Sequence, residues 1–481
     1  MKDTAYESSP TTSSTCPRKK RQQLVVLEYE PSPRSQSSAS TPTCSTMSPL
    51  SITASPPTQL TDPVFQDMGY NNRYLLDYFS RKVCSVFTIS DEAWTPYREL
   101  ITLVGSSEGV ANAMMAVAAL HAMHGSIGSP IMLSHAIQAK NGQINHQELS
   151  PFQSQLLHHC ISNKQKALEF LSTALQDPDQ KDKFQTFGIA ITLALLECFE
   201  TGAGSWAIHL EGAKKMLEAG IQSSATLEGL VDELMLFEIF GSTFVPPGII
   251  STSVTTRTLL TTAPEARLVF GNGFVCPVAI LQLITSATTM SRTARQVMSD
   301  SSITSERTLA IGNLKSDLVK IQQFSCIDWT ERAIPTTKYL DTVPNHLVVQ
   351  MCLIWKTSAA IYISRLLYSL TQDTQYLLPI TDDLITAFMP IRNTVYLKFL
   401  TWPVVIAGFA STMPSHRAWT LSTLDKIWGL TLCANARGAE MVLLKLWERR
   451  DARIHEVGDD YGENWDWLCD MSTHEKHWLL F

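Results

Sequence analysis

Residues 184–220, FQTFGIAITLALLECFETGAGSWAIHLEGAKKMLEAG, restrict what this chain can become more than any other stretch. The first half has almost no polar face, and a helix that is apolar all round must be enclosed by protein. Gly202-Ala203-Gly204 then breaks the run. After the break Trp206, His209, Leu210, Ala213, Met216 and Leu217 fall at i, i+3, i+4, i+7, i+10 and i+11, one face of a 3.6-residue period. Gly220 stands where a helix stop belongs. The spacing predicts a helical hairpin, its first arm buried and its second half-buried.

The 481 residues are 44% hydrophobic, enough for a large core or two domains. A net charge of −7 gives no global attraction to nucleic acid or to an acidic membrane surface. The ten cysteines are scattered singly from Cys16 to Cys469 without a C-x-x-C pair. That pattern fits free thiols in a reducing interior and leaves no evident metal site. The polar start has no signal-peptide pattern. The most apolar run, 187–199, is shorter than the roughly 20 residues a bilayer needs. The expectation is an intracellular, soluble protein with no membrane partner and no cofactor.

Residues 1–66 read as a disordered tail, because Ser, Thr and Pro dominate and little is large enough to bury. Within it Arg18, Lys19, Lys20 and Arg21 form a basic run. It is a nuclear-import candidate or a phosphate contact, against the plainer reading of a solvated charge run. From residue 67 the chain reads as one large all-α domain of antiparallel helical hairpins. Residues 285–306 and 251–263, rich in Thr and Ser, read as loops, and Gly241 with Pro246-Pro247 as the stop of the helix begun near 228.

Several motifs carry a chemical reading beside a structural one. Gly105-Ser-Ser-Glu-Gly109 matches G-x-S-x-G, with Ser107 as the nucleophile of a serine hydrolase. No oxyanion loop precedes it and convincing strands are lacking, so a loop opening a helix is the favoured reading, and the chain is not read as an enzyme. His121 and His124 sit three apart on one helix, a ligand-pair spacing without a third ligand; packing is favoured. His158, His159 and Cys160 are sequential and diverge on a helix. Gly271-Asn-Gly273 lacks the Lys-Ser/Thr of a phosphate loop, and Cys276 after it reads as a small buried hydrophobe. Cys469, His474 and His477 form a weak zinc pattern. The aromatic stripe of Trp355, Tyr362 and Tyr368 is read as core, with an effector pocket as the alternative.

Gly204, Trp206, His209, Leu210, Gly212 and Ala213, followed by a basic pair, resemble the signature of the fungal-specific transcription factor domain. That domain is the regulatory region found downstream of the zinc cluster in fungal six-cysteine regulators. A second hallmark follows in Trp402-Pro403 with Gly408, and Arg417 lies where the family tends to place an arginine. Trp447, and then Trp465 or Trp467, match the family's closing tryptophans. The Gly241-Ser242-Thr243 stretch departs from the Asp, Thr and Pro expected there. The resemblance covers about 67–481. It implies an all-α regulatory and dimerising region of a nuclear transcription factor acting on metabolic or secondary-metabolite gene clusters, with room for a small-molecule effector.

The family's DNA reader needs six cysteines in two C-x-x-C groups. Residues 1–66 hold Cys16 and Cys44, too few for one tetrahedral structural zinc. The expectation is a regulator that contacts DNA through a protein partner or homodimer, or through a missing N-terminal module. The rival is a cytoplasmic helical ligand-sensing or interaction protein.

Overall fold

The computed structural model describes residues 68–90, 94–126, 149–176, 183–222, 224–251, 276–297, 304–336, 340–377, 381–457, 466–472 and 477–480. The tail with Arg18–Arg21 lies outside them, as do Trp465 and His474. Among the described residues the chain is all-α, with no strand; Ala203 and Trp478 pair as an isolated bridge.

Helix α1 (Tyr70–Tyr78) runs on through a π turn at Phe79–Val83 and a last turn at Cys84–Val86. Helix α2 (Pro96–Leu100) opens on proline, whose missing N–H is no loss at that position. Helix α3 (Glu108–Ser126) is buried at every residue from Gly109 to His124. Its many alanines let neighbours approach from all sides. α4 (Pro151–Gln176), α5 (Lys183–Glu200) and α1 all pack on it. α5, buried from Thr186 to Phe199, pairs with α6 (Trp206–Glu218) as the expected hairpin. On α6 Trp206, His209, Leu210, Ala213 and Met216 are buried, which is the face the period predicts.

Helix α7 (Ala225–Phe244) is capped by Ser224, whose Oγ accepts from the Leu227 amide at 3.1 Å. It does not stop at Gly241. It continues to Val245, which turns extended ahead of Pro246-Pro247. α7 touches α2, α5 and α6 from the first half of the chain, and α8 and α16 from the second.

The second half is built on α11 (Asn345–Thr371), against which α8 (Val278–Val297), α9 (Thr304–Gln323) and α10 (Cys326–Ala333) pack. Residues 285–297 are therefore helix, not loop. The reason is local: Thr285, Thr288, Thr289 and Thr293 each donate to the carbonyl four residues back. Their hydroxyls are satisfied inside the helix and do not compete with it. Most of 251–263 lies outside the described residues. Among those residues α11 is long and apolar enough to cross a membrane, but 72% of its apolar window is buried in the fold. After α12 (Thr381–Phe388), the wholly buried α13 (Thr401–Ala410) packs with α14 (Pro414–Thr431) and α15 (Asn435–Val457). α16 (Trp467–Ser472) and residues 477–480 close the chain.

Candidate functional site

The hairpin turn depends on backbone that only glycine adopts easily. Gly202 has φ 70° and Gly204 φ 131°. A Cβ on Gly204 would also meet the Glu197 carboxylate. Residues far along the chain clamp this turn. The Leu479 amide donates to Gly202 O at 2.7 Å, Trp206 Nε1 donates to His477 O at 3.0 Å, and Ala203 bridges Trp478. Gly438 admits the Trp478 ring beside the Thr201 carbonyl. Behind the turn Lys164 pairs with Glu197 at 2.9 Å and Glu200 at 2.7 Å. Burial lowers the pKa of His209, with Glu197 opposing it in part. Gly212 has open space where a side chain would go.

The two hallmark tryptophans meet on α7. The Trp206 ring occupies the space over Gly241, and Trp402 Nε1 donates to Thr243 Oγ1 at 3.2 Å. Trp402 stacks on Trp355, with ring centroids 5.6 Å apart and planes 9° apart, and Phe240 lies against both. Tyr362 meets Trp402 edge-on and shares a 3.0 Å hydrogen bond with Thr288. The stripe of Trp355, Tyr362 and Tyr368 is thus buried core.

A third lock joins α13, α14 and α15. Pro403 is the third residue of α13, where an amide would lack a partner within the helix. A Cβ on Gly408 would collide with Leu443 and Thr420, and Trp447 Nε1 donates to Gly408 O at 3.1 Å. Arg417 holds Asp451 through two bonds of 2.6 and 2.7 Å and lies 5.2 Å over the Trp447 ring. The Arg417 hydrogen bond holds the Asp451 carboxyl below its ordinary range. Trp467 stacks on Phe409 at 4.5 Å.

The remaining candidates disperse. Ser107 is buried, and its Oγ accepts from the Val110 amide at 3.4 Å as α3 begins. The segment before it is a 3-10 turn, Ile101–Leu103. His121 Nδ1 bonds to Tyr78 Oη at 2.9 Å, and His124 Nδ1 donates to Leu432 O at 2.8 Å. Burial lowers their pKa values to about 3 and about 4. His158 and His159 have ring centroids 6.5 Å apart, and Cys160 is buried. Cys276 is buried at the head of α8, and burial pushes its thiol well up. His477 contributes its carbonyl to Trp206.

Three features had no clear sequence signal. Lys214, 3% exposed, pairs with Glu211 at 2.7 Å and Glu238 at 3.2 Å and donates to Ser251 O. The Arg292 guanidinium donates to the carbonyls of Ser242, Val245 and Ile250 and so closes the end of α7. The third is a cavity of about 80 Å³ where the two halves meet. Its walls come from the end of α1 (Phe87), α5 (Leu195, Cys198), α7 (Glu233, Leu236), Lys398 and the start of α15 (Asn435).

Among the described residues the domain is helical, its marked tryptophans and glycines build its core, and a small, mainly apolar cavity lies where its halves meet. The chain belongs to the family of the fungal specific transcription factor domain, whose model matches residues 74–481. It is similar to the acriflavine sensitivity control protein acr-2 of Neurospora crassa, at 23% identity over 489 aligned residues, covering 95% of this chain and 75% of that protein. No solved structure matches it.

Proposed function

We propose that this protein is a fungal transcription regulator that works in the nucleus, with residues 67–481 as its regulatory domain. The observation that carries the reading is the family match over 74–481, joined to the interlocking of the hallmark residues Trp206 and Trp402 on α7. The basic run Arg18–Arg21 serves nuclear import. The two cysteines of residues 1–66 cannot hold a six-cysteine cluster. DNA contact then comes from a protein partner, a homodimer or a module encoded upstream. The targets are metabolic or secondary-metabolite genes. The relative's name, control of acriflavine sensitivity, supports extending them to genes that set sensitivity to such a compound.

A tagged full-length copy in its own organism tests this, read together with transcript profiles of a deletion strain. Nuclear enrichment, with a coherent set of transcripts altered in the deletion, is expected. Cytoplasmic retention with an unchanged transcript profile overturns it in favour of a cytoplasmic sensing protein.

A further inference from the structure

The cavity at the junction contains a carboxyl group that the fold does not satisfy. Glu233 lies on α7 deep among its neighbours, yet it keeps accessible surface as part of the cavity wall. Among the described residues it has no hydrogen-bond or ion-pair partner. A buried polar group without a partner is costly, and a charged one more so. Burial, helped by the neighbouring Asp232, therefore raises its pKa to about 8.

The surrounding groups define the complement. Tyr97 on α2 and Cys198 on α5 are pushed upward by burial first and by Glu233 as a lesser cause. Neither offers Glu233 a positive charge. Cys433 lines the wall as a thiol that burial raises to about 12. The cavity's lysine, Lys398, donates to the carbonyls of Ser85 and Thr88 at 2.7 Å each, fixing the end of α1. After burial, the neighbouring Asp232 raises the Glu233 carboxyl further. The rest of the wall is mainly apolar: Val86, Phe87, Leu195, Leu236 and Phe399.

We propose that this cavity binds a small primary amine as its ammonium ion, with the ammonium paired to the Glu233 carboxylate and a short apolar tail against Leu195, Leu236 and Phe399. At about 80 Å³ the space is smaller than the roughly 150 Å³ cavity that takes benzene, so the tail is limited to a few carbons. The ion pair forms against a mainly apolar wall, which strengthens it relative to bulk water. Its walls come from α1, α5, α7 and α15 together, so an occupant ties the halves of the domain to each other. That this regulates transcription rests on the function proposed above; the binding itself does not.

Titration of the purified full chain with n-propylammonium, followed calorimetrically in two buffers of different ionisation heat, tests the site. One-to-one binding is expected, with proton release, because Glu233 must ionise to pair. Affinity then rises about tenfold per pH unit between pH 6 and 7.5. The Glu233→Gln variant, shown folded by its circular dichroism, loses at least tenfold in affinity and all proton release. 1-Propanol, of similar size and no charge, binds at least tenfold more weakly than the amine. Equal binding of alcohol and amine, an unaffected Glu233→Gln variant, or no saturable binding overturns the proposal. None of these results bears on nuclear location or target transcripts, so the regulator reading stands or falls separately.

Discussion

The indole of Trp206 lies over the bare backbone of Gly241, where a Cβ would come well inside 3.0 Å of the ring. Helix α7 runs through Gly241 and ends only ahead of Pro246-Pro247, because the missing side chain at Gly241 makes room for the tryptophan of the neighbouring hairpin. Gly241→Ala is expected to destabilise the domain by about 1–3 kcal/mol through overpacking. Adding Trp206→Leu to it is expected to cost less than the sum of the two changes, since the collision is gone. Urea midpoints of the four proteins measure this coupling, and strict additivity contradicts the contact.

The hairpin was legible because its period and its glycines are local signals. The faces of α6 and the breaks at Gly202 and Gly204 lie where the spacing puts them. The Thr-rich stretch 285–297 was misread because composition reports a side chain's taste for loops. It does not report the four-residue back-bonds that satisfy Thr285, Thr288, Thr289 and Thr293 in place. The clamp of residues 477–480 on the hairpin turn joins positions more than 270 residues apart, as in Trp206 to His477, and no local pattern encodes such a pairing. Glu233 was equally silent, since a carboxylate in the first half of a helix reads as solvated until its neighbours are known.

The clamp makes the end of the chain part of the core. Trp478, Leu479 and Leu480 are each no more than 1% exposed. Trp478→Ala removes the ring that fills the space over Gly438 and is expected to cost about 3–5 kcal/mol. The hairpin turn should loosen with it. Hydrogen exchange at Gly202–Trp206 in the variant is the check; protection equal to wild type means that the turn holds without the clamp.

Arg417 uses its flat guanidinium twice, edge-on to Asp451 and face-on to Trp447. A lysine keeps the charge but neither the paired bonds nor the stacking. Asp451 is 46% exposed, so solvent screens much of the ion pair. Arg417→Lys is expected to cost about 1 kcal/mol, part from the cation–π contact. Thermal denaturation with and without 0.5 M salt separates the parts: the salt-sensitive share should be the smaller.

His124 should make the domain acid-sensitive. Its Nδ1–H is bonded to Leu432 O, and its Nε2 is buried with no partner among the described residues. Burial lowers its pKa to about 4, against roughly 6.5 in an unfolded chain. The folded state therefore holds the ring neutral while the unfolded state takes up a proton below pH 6.5. The stability it contributes is complete above that pH and is lost as pH falls toward 4, at about 1.4 kcal/mol per pH unit. His121, lowered to about 3 by burial and then by His124, adds loss of the same sign. Glu200 and Glu233, both raised by burial, act in the opposite direction, but they are common to wild type and variant. His124→Asn keeps a donor for Leu432 and cannot titrate. It is expected to be less stable than wild type at pH 7, with the gap shrinking by about 2 kcal/mol by pH 5. Urea denaturation at both pH values gives the gap directly, and a gap that does not change with pH means that His124 does not carry the acid sensitivity.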